Sequence, residues 1–178
     1  APLPQVVPAL VAMLDHGGGE VSLFDTGFGR RWGQITGRLP ELAYRLAVPS
    51  RLPAGQQLDV ALRRLGVTKV ARAVLSHLHA DHVTGLFDLA DLPPCLASRE
   101  ALSQLGRLAA QPRPDSFAPR VTALFEALPM PLADQLQQMV AAGRLTEIEA
   151  APACTLPRAF AAFGTGHDLM GDGSMIAV

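Results

Sequence analysis

The sequence predicts a mixed α/β protein, and a helix, a strand and a hairpin carry that prediction. Residues 57–65 have an apolar stripe at helical spacing, and Gly66 follows where a helix would end. Residues 67–75 are the next apolar run, with the composition of a buried strand. Upstream, apolar-leaning segments at 8–15 and 20–25 flank a His-Gly-Gly-Gly turn, which is typical of a β-hairpin. A hairpin, a helix and a buried strand in this order favour the α/β class.

Between the hairpin and that helix, residues 27–53 contain scattered Gly, Pro and Arg, which predicts a long irregular excursion. Phe28, Trp32 and Tyr44 lie in it. These aromatic side chains are candidates to line a substrate pocket, and local core packing would explain them equally well. The sequence leaves both interpretations open.

The middle of the chain continues with short apolar segments. Residues 86–92 predict a short helix or turn, and residues 94–97 predict a short strand in which Cys95 is a buried thiol. Ser98 is the predicted N-cap of a helix over 99–109. Cys154, the second cysteine, does not stand at a metal-binding spacing from the first.

The last third of the chain predicts further helix and strand. Three prolines make 111–119 a predicted loop, and apolar periodicity predicts a helix over 129–143. Residues 145–149 alternate like an exposed strand. We interpret 111–143 either as a helical cap or insertion that shapes a substrate site or as plain scaffold. The chain as a whole, 1–178, is predicted to be one domain.

Possible metal ligands are concentrated at residues 76–82 (S-H-L-H-A-D-H), hereafter the metal loop. This loop directly follows the predicted strand. It holds three of the five histidines and a carboxylate. Neutral imidazole and carboxylate oxygen are common ligands of catalytic zinc and iron. In extended backbone His77 and His79 point the same way and can share one metal. Asp81 and His82 follow as the chain turns, where they can face a second metal.

This H-x-H-x-D-H pattern, which continues as V-T-G-L at 83–86, resembles the metallo-β-lactamase-fold hydrolase superfamily. The resemblance is closest to its N-acyl homoserine lactonase-like branch. Residues 23–27 (L-F-D-T-G) resemble the superfamily's strand that ends in Asp-x-Gly. The resemblance implies an αββα sandwich, of which this chain would supply the N-terminal half and the start of the second half.

The resemblance also implies roles for single residues. His77 and His79 would bind a first metal, and Asp81 and His82 a second. Asp25 would orient the metal loop from beneath, as partners of metal ligands do. The alternative for Asp25 is an ordinary turn residue at a strand end.

The family pattern further requires a third His, a bridging acidic residue and a last His, none of which has a counterpart that we can place. His167 is the only histidine after the metal loop. In the lactonase-like branch a segment resembling 168–174 precedes a strand, here 175–178, and the Gly-His turn comes after that strand. We therefore expect that His167 is a loop residue and not the third ligand, and that the chain stops before the residues that complete the site.

The function implied by the resemblance is metal-dependent hydrolysis. Two divalent ions, zinc ahead of iron or manganese, would activate a hydroxide that attacks an ester, lactone or similar acyl carbonyl. Asp81 would orient the nucleophile or collect its proton. One alternative is a glyoxalase-II-like thioesterase. The other is an inactive fragment or binding scaffold that lacks half of the metal ligands.

The composition of the chain limits the classes of partner that we expect. A formal net charge of −1 and 5% aromatic residues offer no basic surface for a phosphate backbone, so we expect a small-molecule acyl substrate and no nucleic acid. No apolar segment is long enough for a membrane span, and no signal-peptide pattern is visible. We expect a cytoplasmic protein slightly ahead of a periplasmic or secreted one, and a homo-oligomer is compatible with the sequence. A single lysine and no asparagine indicate a GC-rich bacterial genome.

Overall fold

The larger sheet has five strands among the residues that the structure describes. The computed structural model describes residues 8–110, 121, 123 and 128–178. In spatial order the strands are β1 (Ala12–Gly17), β2 (Glu20–Phe24), β3 (Lys69–Leu75), β4 (Cys95–Ala97) and β5 (Leu145–Glu147). β1 is antiparallel to β2, and every later pair in this sheet is parallel. The predicted α/β class is confirmed.

The predicted hairpin is the pair β1–β2, although its first strand begins at Ala12 and not at residue 8. Gly18 and Gly19 form the turn with φ angles of 62° and 81°, a backbone region that glycine adopts at no steric cost. The carbonyl of Gly19 accepts a hydrogen bond of 2.8 Å from the backbone N–H of Thr68. The turn thereby fixes the start of β3 beside β2.

Helices cover one face of this sheet. The α-helices described from end to end are α1 (Trp32–Ile35), α2 (Glu41–Ala47), α3 (Leu58–Arg64), α4 (Ala80–Val83), α5 (Arg99–Ala109) and α6 (Met130–Ala141). The main core joins Val21 and Leu23 of β2 to the apolar faces of α3, α5 and α6. Ser98 caps α5 as predicted, since its hydroxyl accepts a hydrogen bond of 3.2 Å from the backbone N–H of Ala101. No helix among the described residues is long and apolar enough to cross a bilayer.

A second, antiparallel sheet lies on the other face of the first. Its strands are β6 (Ala153–Thr155), β7 (Thr165–Asp168) and β8 (Ile176–Ala177). Ser22 and Arg72 are paired neighbours on β2 and β3. The Ser22 hydroxyl lies 4.0 Å from the Met170 sulfur, and the Arg72 guanidinium donates to the Leu169 carbonyl. Helices, first sheet and second sheet therefore follow one another in the order of the predicted sandwich.

The prediction of an irregular excursion over 27–53 is wrong at two segments, which form α1 and α2. Trp32 and Ile35 are 7% and 8% exposed, and Glu41 at the start of α2 is also buried. Packing against the core stabilises the single turn of α1, whereas the sequence of α2, E-L-A-Y-R-L-A, is itself a good helix former. The prediction failed because it weighed Gly and Pro locally and could not include this burial.

The segment 111–143 is only partly described. α6 confirms the helix predicted over 129–143, and Leu132 and Leu136 on its inner face are fully buried in the main core. The predicted loop at 111–119 lies outside the described residues, and a cap role for the whole segment stays a prediction. Of the exposed strand predicted over 145–149, only β5 is extended, and its Leu145 is buried.

The two cysteines are free thiols in different surroundings. Cys95 is 1% exposed, and burial raises its pKa to about 12, whereas Cys154 on β6 is half-buried. We expect iodoacetamide at pH 8 to alkylate Cys154 in the native protein and to leave Cys95 unmodified. The thiolate fraction of Cys95 is roughly a thousandfold below that of an ordinary cysteine. Peptide mass spectrometry measures both sites, and in urea both should react; equal native rates would contradict the buried position of Cys95.

Candidate metal centre

The strand β3 delivers the metal loop to the carboxyl end of the larger sheet. Leu75, the last residue of β3, is fully buried, and Leu78 is 3% exposed. His77 and His79 flank Leu78 and are both half-buried. His79 has extended backbone (φ −65°, ψ 150°) and is the N-cap of α4. Anchoring Leu78 in the core therefore turns the two neighbouring imidazoles to the other side of the chain, as alternation in extended backbone predicts.

The four residues singled out in the metal loop lie side by side. The ring centroid of His77 is 4.3 Å from that of His79 and 4.0 Å from that of His82. An Asp81 carboxylate oxygen lies 3.4 Å from Nε2 of His82. Three imidazoles and one carboxylate thus share a single cluster on one end of the sheet.

Asp25 supports this cluster from beneath. Its carboxylate accepts hydrogen bonds of 2.8 Å each from the Ser76 backbone N–H, the Ser76 hydroxyl and Nδ1 of His82. Asp25 is 4% exposed and has a φ of 59°, a left-handed conformation that Asp and Asn tolerate better than most residues. The bond to the Asp25 carboxylate requires a proton on Nδ1 of His82, which leaves Nε2, on the Asp81 side of the ring, as the atom that can bind a metal ion.

The backbone after Asp25 fits closely against the end of the metal loop. The Thr26 N–H and hydroxyl both donate to the His82 carbonyl, at 2.7 and 2.8 Å. The Gly85 N–H donates to the Gly27 carbonyl at 2.9 Å. A β-carbon on Gly85 would lie 1.9 Å from the Thr26 carbonyl oxygen, so only glycine fits there. This contact was not predicted from the sequence, although the paired Thr-Gly dipeptides at 26–27 and 84–85 are its signal.

Local electrostatics favour the neutral form of the central imidazole. Burial lowers the pKa of His77, and the neighbouring His82 and His79 lower it further. A neutral imidazole is the form that binds metal ions. The cluster therefore keeps at least one donor nitrogen unprotonated to lower pH than an isolated histidine would.

The predicted aromatic residues form a row beside the metal loop. The ring of Trp32 lies 5.4 Å from that of Phe28 and 5.7 Å from that of Tyr44. Burial raises the pKa of the Tyr44 phenol, and the Asp81 carboxylate raises it further. Trp32 is thus a core residue, while Tyr44 is half-buried within electrostatic reach of Asp81.

The side chains of the metal loop are of the types that bind divalent ions. Imidazole nitrogen and carboxylate oxygen are the ligands that zinc, iron and manganese take, and Nε2 of His82 and the Asp81 carboxylate already face each other. Within residues 8–110 and 128–178, however, no three His, Cys, Asp or Glu side chains converge as a metal-holding group. The metal loop therefore fits as part of a ligand set.

His167 lies in β7, so the expectation of a loop position is wrong. Its Nδ1 lies 3.1 Å from the Ala151 carbonyl, and its backbone pairs with Ala177 of β8. That it is not the third ligand stays a prediction.

A family model described as the metallo-beta-lactamase superfamily matches residues 4–102, more than half of the 178 residues. The matched range contains the hairpin, Asp25, β3 and the whole metal loop. No curated protein gives a significant match.

Proposed function

Because the chain belongs to the metallo-beta-lactamase superfamily, we propose that it is a metal-dependent hydrolase that cleaves an ester, lactone or similar acyl bond of a small molecule. The lactonase-like branch is part of the same proposal. The observation that carries it is the cluster of three imidazoles and the Asp81 carboxylate, held from beneath by Asp25. A formal net charge of −1 supports a small acyl substrate over nucleic acid.

Two divalent ions, zinc ahead of iron or manganese, would be held by His77 and His79 on one side and by Asp81 and His82 on the other. Such ions supply Lewis-acid chemistry, since they lower the pKa of water and polarise an acyl carbonyl. Each ion would need ligands beyond these four residues, because such ions take about four ligands and no three His, Cys, Asp or Glu side chains of the described residues converge.

Three side chains in and around the metal loop would have separate roles in the reaction. Asp25 keeps His82 in one orientation and one tautomer through the 2.8 Å bond to Nδ1. Asp81, whose side chain is 39% exposed, is open to a substrate and can take a proton from attacking water. The Tyr44 phenol, whose pKa is raised by burial and by the Asp81 carboxylate, can donate a hydrogen bond to a substrate. These roles suit acyl transfer to water.

The test is turnover after reconstitution with zinc, manganese or iron(II). We expect metal-dependent hydrolysis of p-nitrophenyl acetate or γ-butyrolactone, and a glutathione thioester assayed in parallel identifies the thioesterase alternative. His79→Ala should lower turnover by more than roughly a hundredfold and reduce bound metal, since it removes a direct ligand. Turnover is followed by absorbance or proton release, and bound metal by elemental analysis.

The matched control is His16→Ala, which removes a histidine of the hairpin whose Nε2 hydrogen-bonds to the Ser22 hydroxyl at 2.8 Å. It should retain wild-type turnover and metal content. Wild-type turnover in the His79→Ala variant would contradict the proposed function. A metal-loaded protein that hydrolyses none of the three substrate classes would contradict it as well.

A further inference from the structure

A cleft of about 330 Å³ lies between the 3₁₀ helix Thr84–Asp88 and the carboxyl-terminal half of α6. We propose that this side cleft binds a small organic anion that carries an apolar body and an N–H or O–H donor. The residues that carry the proposal are Arg31, Phe87, Leu92, Gln135, Met139 and Arg144. None of them belongs to the metal loop, so this is a second site and does not depend on the proposed hydrolase activity.

The first observation is a buried acceptor in the lining. The side-chain carbonyl oxygen of Gln135 is buried and has no hydrogen-bond partner in the part of the chain that the structure describes. Buried polar atoms without partners are rare in proteins, because each loses its hydration without compensation. Gln135 lines the cleft, and rotation of its side-chain amide toward the cleft would bring this oxygen to a ligand N–H or O–H there.

The second observation is the charge of the rim. The side cleft has two guanidinium groups, on Arg31 and Arg144, and both residues are exposed. Among the described residues neither forms an ion pair, whereas the nearby Asp88 accepts from the Arg30 backbone N–H at 3.0 Å. One N–H of the Arg144 guanidinium donates a hydrogen bond to the Leu92 carbonyl. The remaining donors can bind a carboxylate or phosphate group.

The third observation is the apolar wall. Phe87 and Leu92 are half-buried, and Met139 beneath them is 5% exposed. The Arg31 guanidinium lies 6.0 Å from the Phe87 ring centroid, at the outer limit of a cation–π contact, so the cation lies beside this wall. An apolar surface with a few convergent polar groups, at about 330 Å³, is typical of a site for a small ligand.

N-hexanoylglycine is a suitable probe, since it joins a carboxylate, an amide N–H and an aliphatic chain. We expect calorimetric titration of metal-free protein to detect its binding. Arg31→Gln should weaken binding about tenfold by removing a charge-assisted hydrogen bond. Gln135→Glu keeps the shape of the side chain and should weaken it at least as much, because a second carboxylate would face the anion. N-hexanoylglycinamide, which lacks the charge, should bind the wild type about tenfold more weakly.

Two control variants locate the site. Arg158→Gln neutralises an exposed arginine on the 3₁₀ helix Arg158–Phe163, and His77→Ala alters the metal loop; both should bind N-hexanoylglycine like the wild type. Hexanoate, which has no N–H, should bind more weakly and should gain nothing from the Gln135 oxygen. The circular dichroism of each variant checks folding.

The inference is overturned if no binding is detected up to about 10 mM probe. It is equally overturned if His77→Ala abolishes binding while Arg31→Gln and Gln135→Glu do not, because the anion then sits at the metal loop. Should Gln135→Glu fail to fold, the Arg31→Gln variant and the uncharged probe decide the question alone.

Discussion

Gly85→Ala is expected to destabilise the protein by about 3 kcal/mol or more, since overpacking against rigid backbone has no cheap relief. The added β-carbon would meet the Thr26 carbonyl oxygen at 1.9 Å and the Thr26 carbonyl carbon at 2.8 Å. The backbone cannot move apart freely, because the Gly85 N–H bonds to Gly27 at 2.9 Å and the Leu86 N–H to Thr26 at 3.1 Å. Urea unfolding followed by circular dichroism measures the loss.

The matched control is Gly106→Ala on the exposed side of α5, where an added β-carbon meets nothing within 4 Å. Alanine is the better helix former, so this variant should be more stable than the wild type by about 0.5–1 kcal/mol. Gly29→Ala tests the same contact from the other side, since its β-carbon would lie 2.1 Å from the Thr84 carbonyl oxygen. A wild-type urea midpoint for Gly85→Ala would show that the two loops do not pack as described.

Periodicity within one segment was enough to predict the elements that bring the metal loop into place. The stripe of α3 and the apolar run of β3 are local patterns, and their hydrophobic faces are the same faces that the fold buries. The hairpin followed from its glycines for the same reason. α1 escaped prediction because the packing of Trp32 and Ile35, which depends on residues distant in sequence, stabilises it. α2 escaped because the Gly and Pro around it were given more weight than the helix-forming residues 41–47.

The candidate site also has one part that the sequence predicts and another that only the fold shows. Its donors are contiguous at 76–82, so the motif alone found them. The fit of Gly85 against Thr26 joins residues about 60 positions apart and follows only from the pairing of β2 with β3. The side cleft joins Arg31, Phe87, Gln135 and Arg144, which no local pattern relates. Sequence therefore indicates which chemistry the chain carries, and the fold decides which groups meet.

Asp25→Asn is expected to weaken metal binding about 10–100-fold, as is usual when a partner of a metal ligand is changed. Asparagine keeps the shape of the side chain and tolerates the φ of 59°. It has a single oxygen, however, while both carboxylate oxygens of Asp25 accept: one from the Ser76 N–H, the other from the Ser76 hydroxyl and His82 Nδ1. The new NH₂ group must therefore face a donor.

The least costly relief is for His82 to move its proton from Nδ1 to Nε2, so that Nδ1 accepts from the asparagine. That shift puts a proton on Nε2, the atom on the Asp81 side that would bind a metal ion, and His82 then ceases to be a metal ligand. Lost charge-assisted hydrogen bonds should also lower the free energy of unfolding by about 2–3 kcal/mol. Nitrogen-15 shifts of the histidine rings report the tautomer, and zinc competition with a chelating dye reports the affinity.

The control for this change is Asp15→Asn, at an exposed carboxylate on β1 that accepts 2.8 Å from the Gly17 N–H. It makes the same chemical change away from the metal loop and should alter stability by no more than about 0.5 kcal/mol and zinc affinity not at all. If Asp25→Asn kept wild-type zinc affinity with the proton still on Nδ1 of His82, Asp25 would be only a turn residue at a strand end. The other outcome is a shifted tautomer and weakened zinc binding in a variant that remains folded. That outcome would show that Asp25 acts by orienting His82 and not only by stabilising the protein.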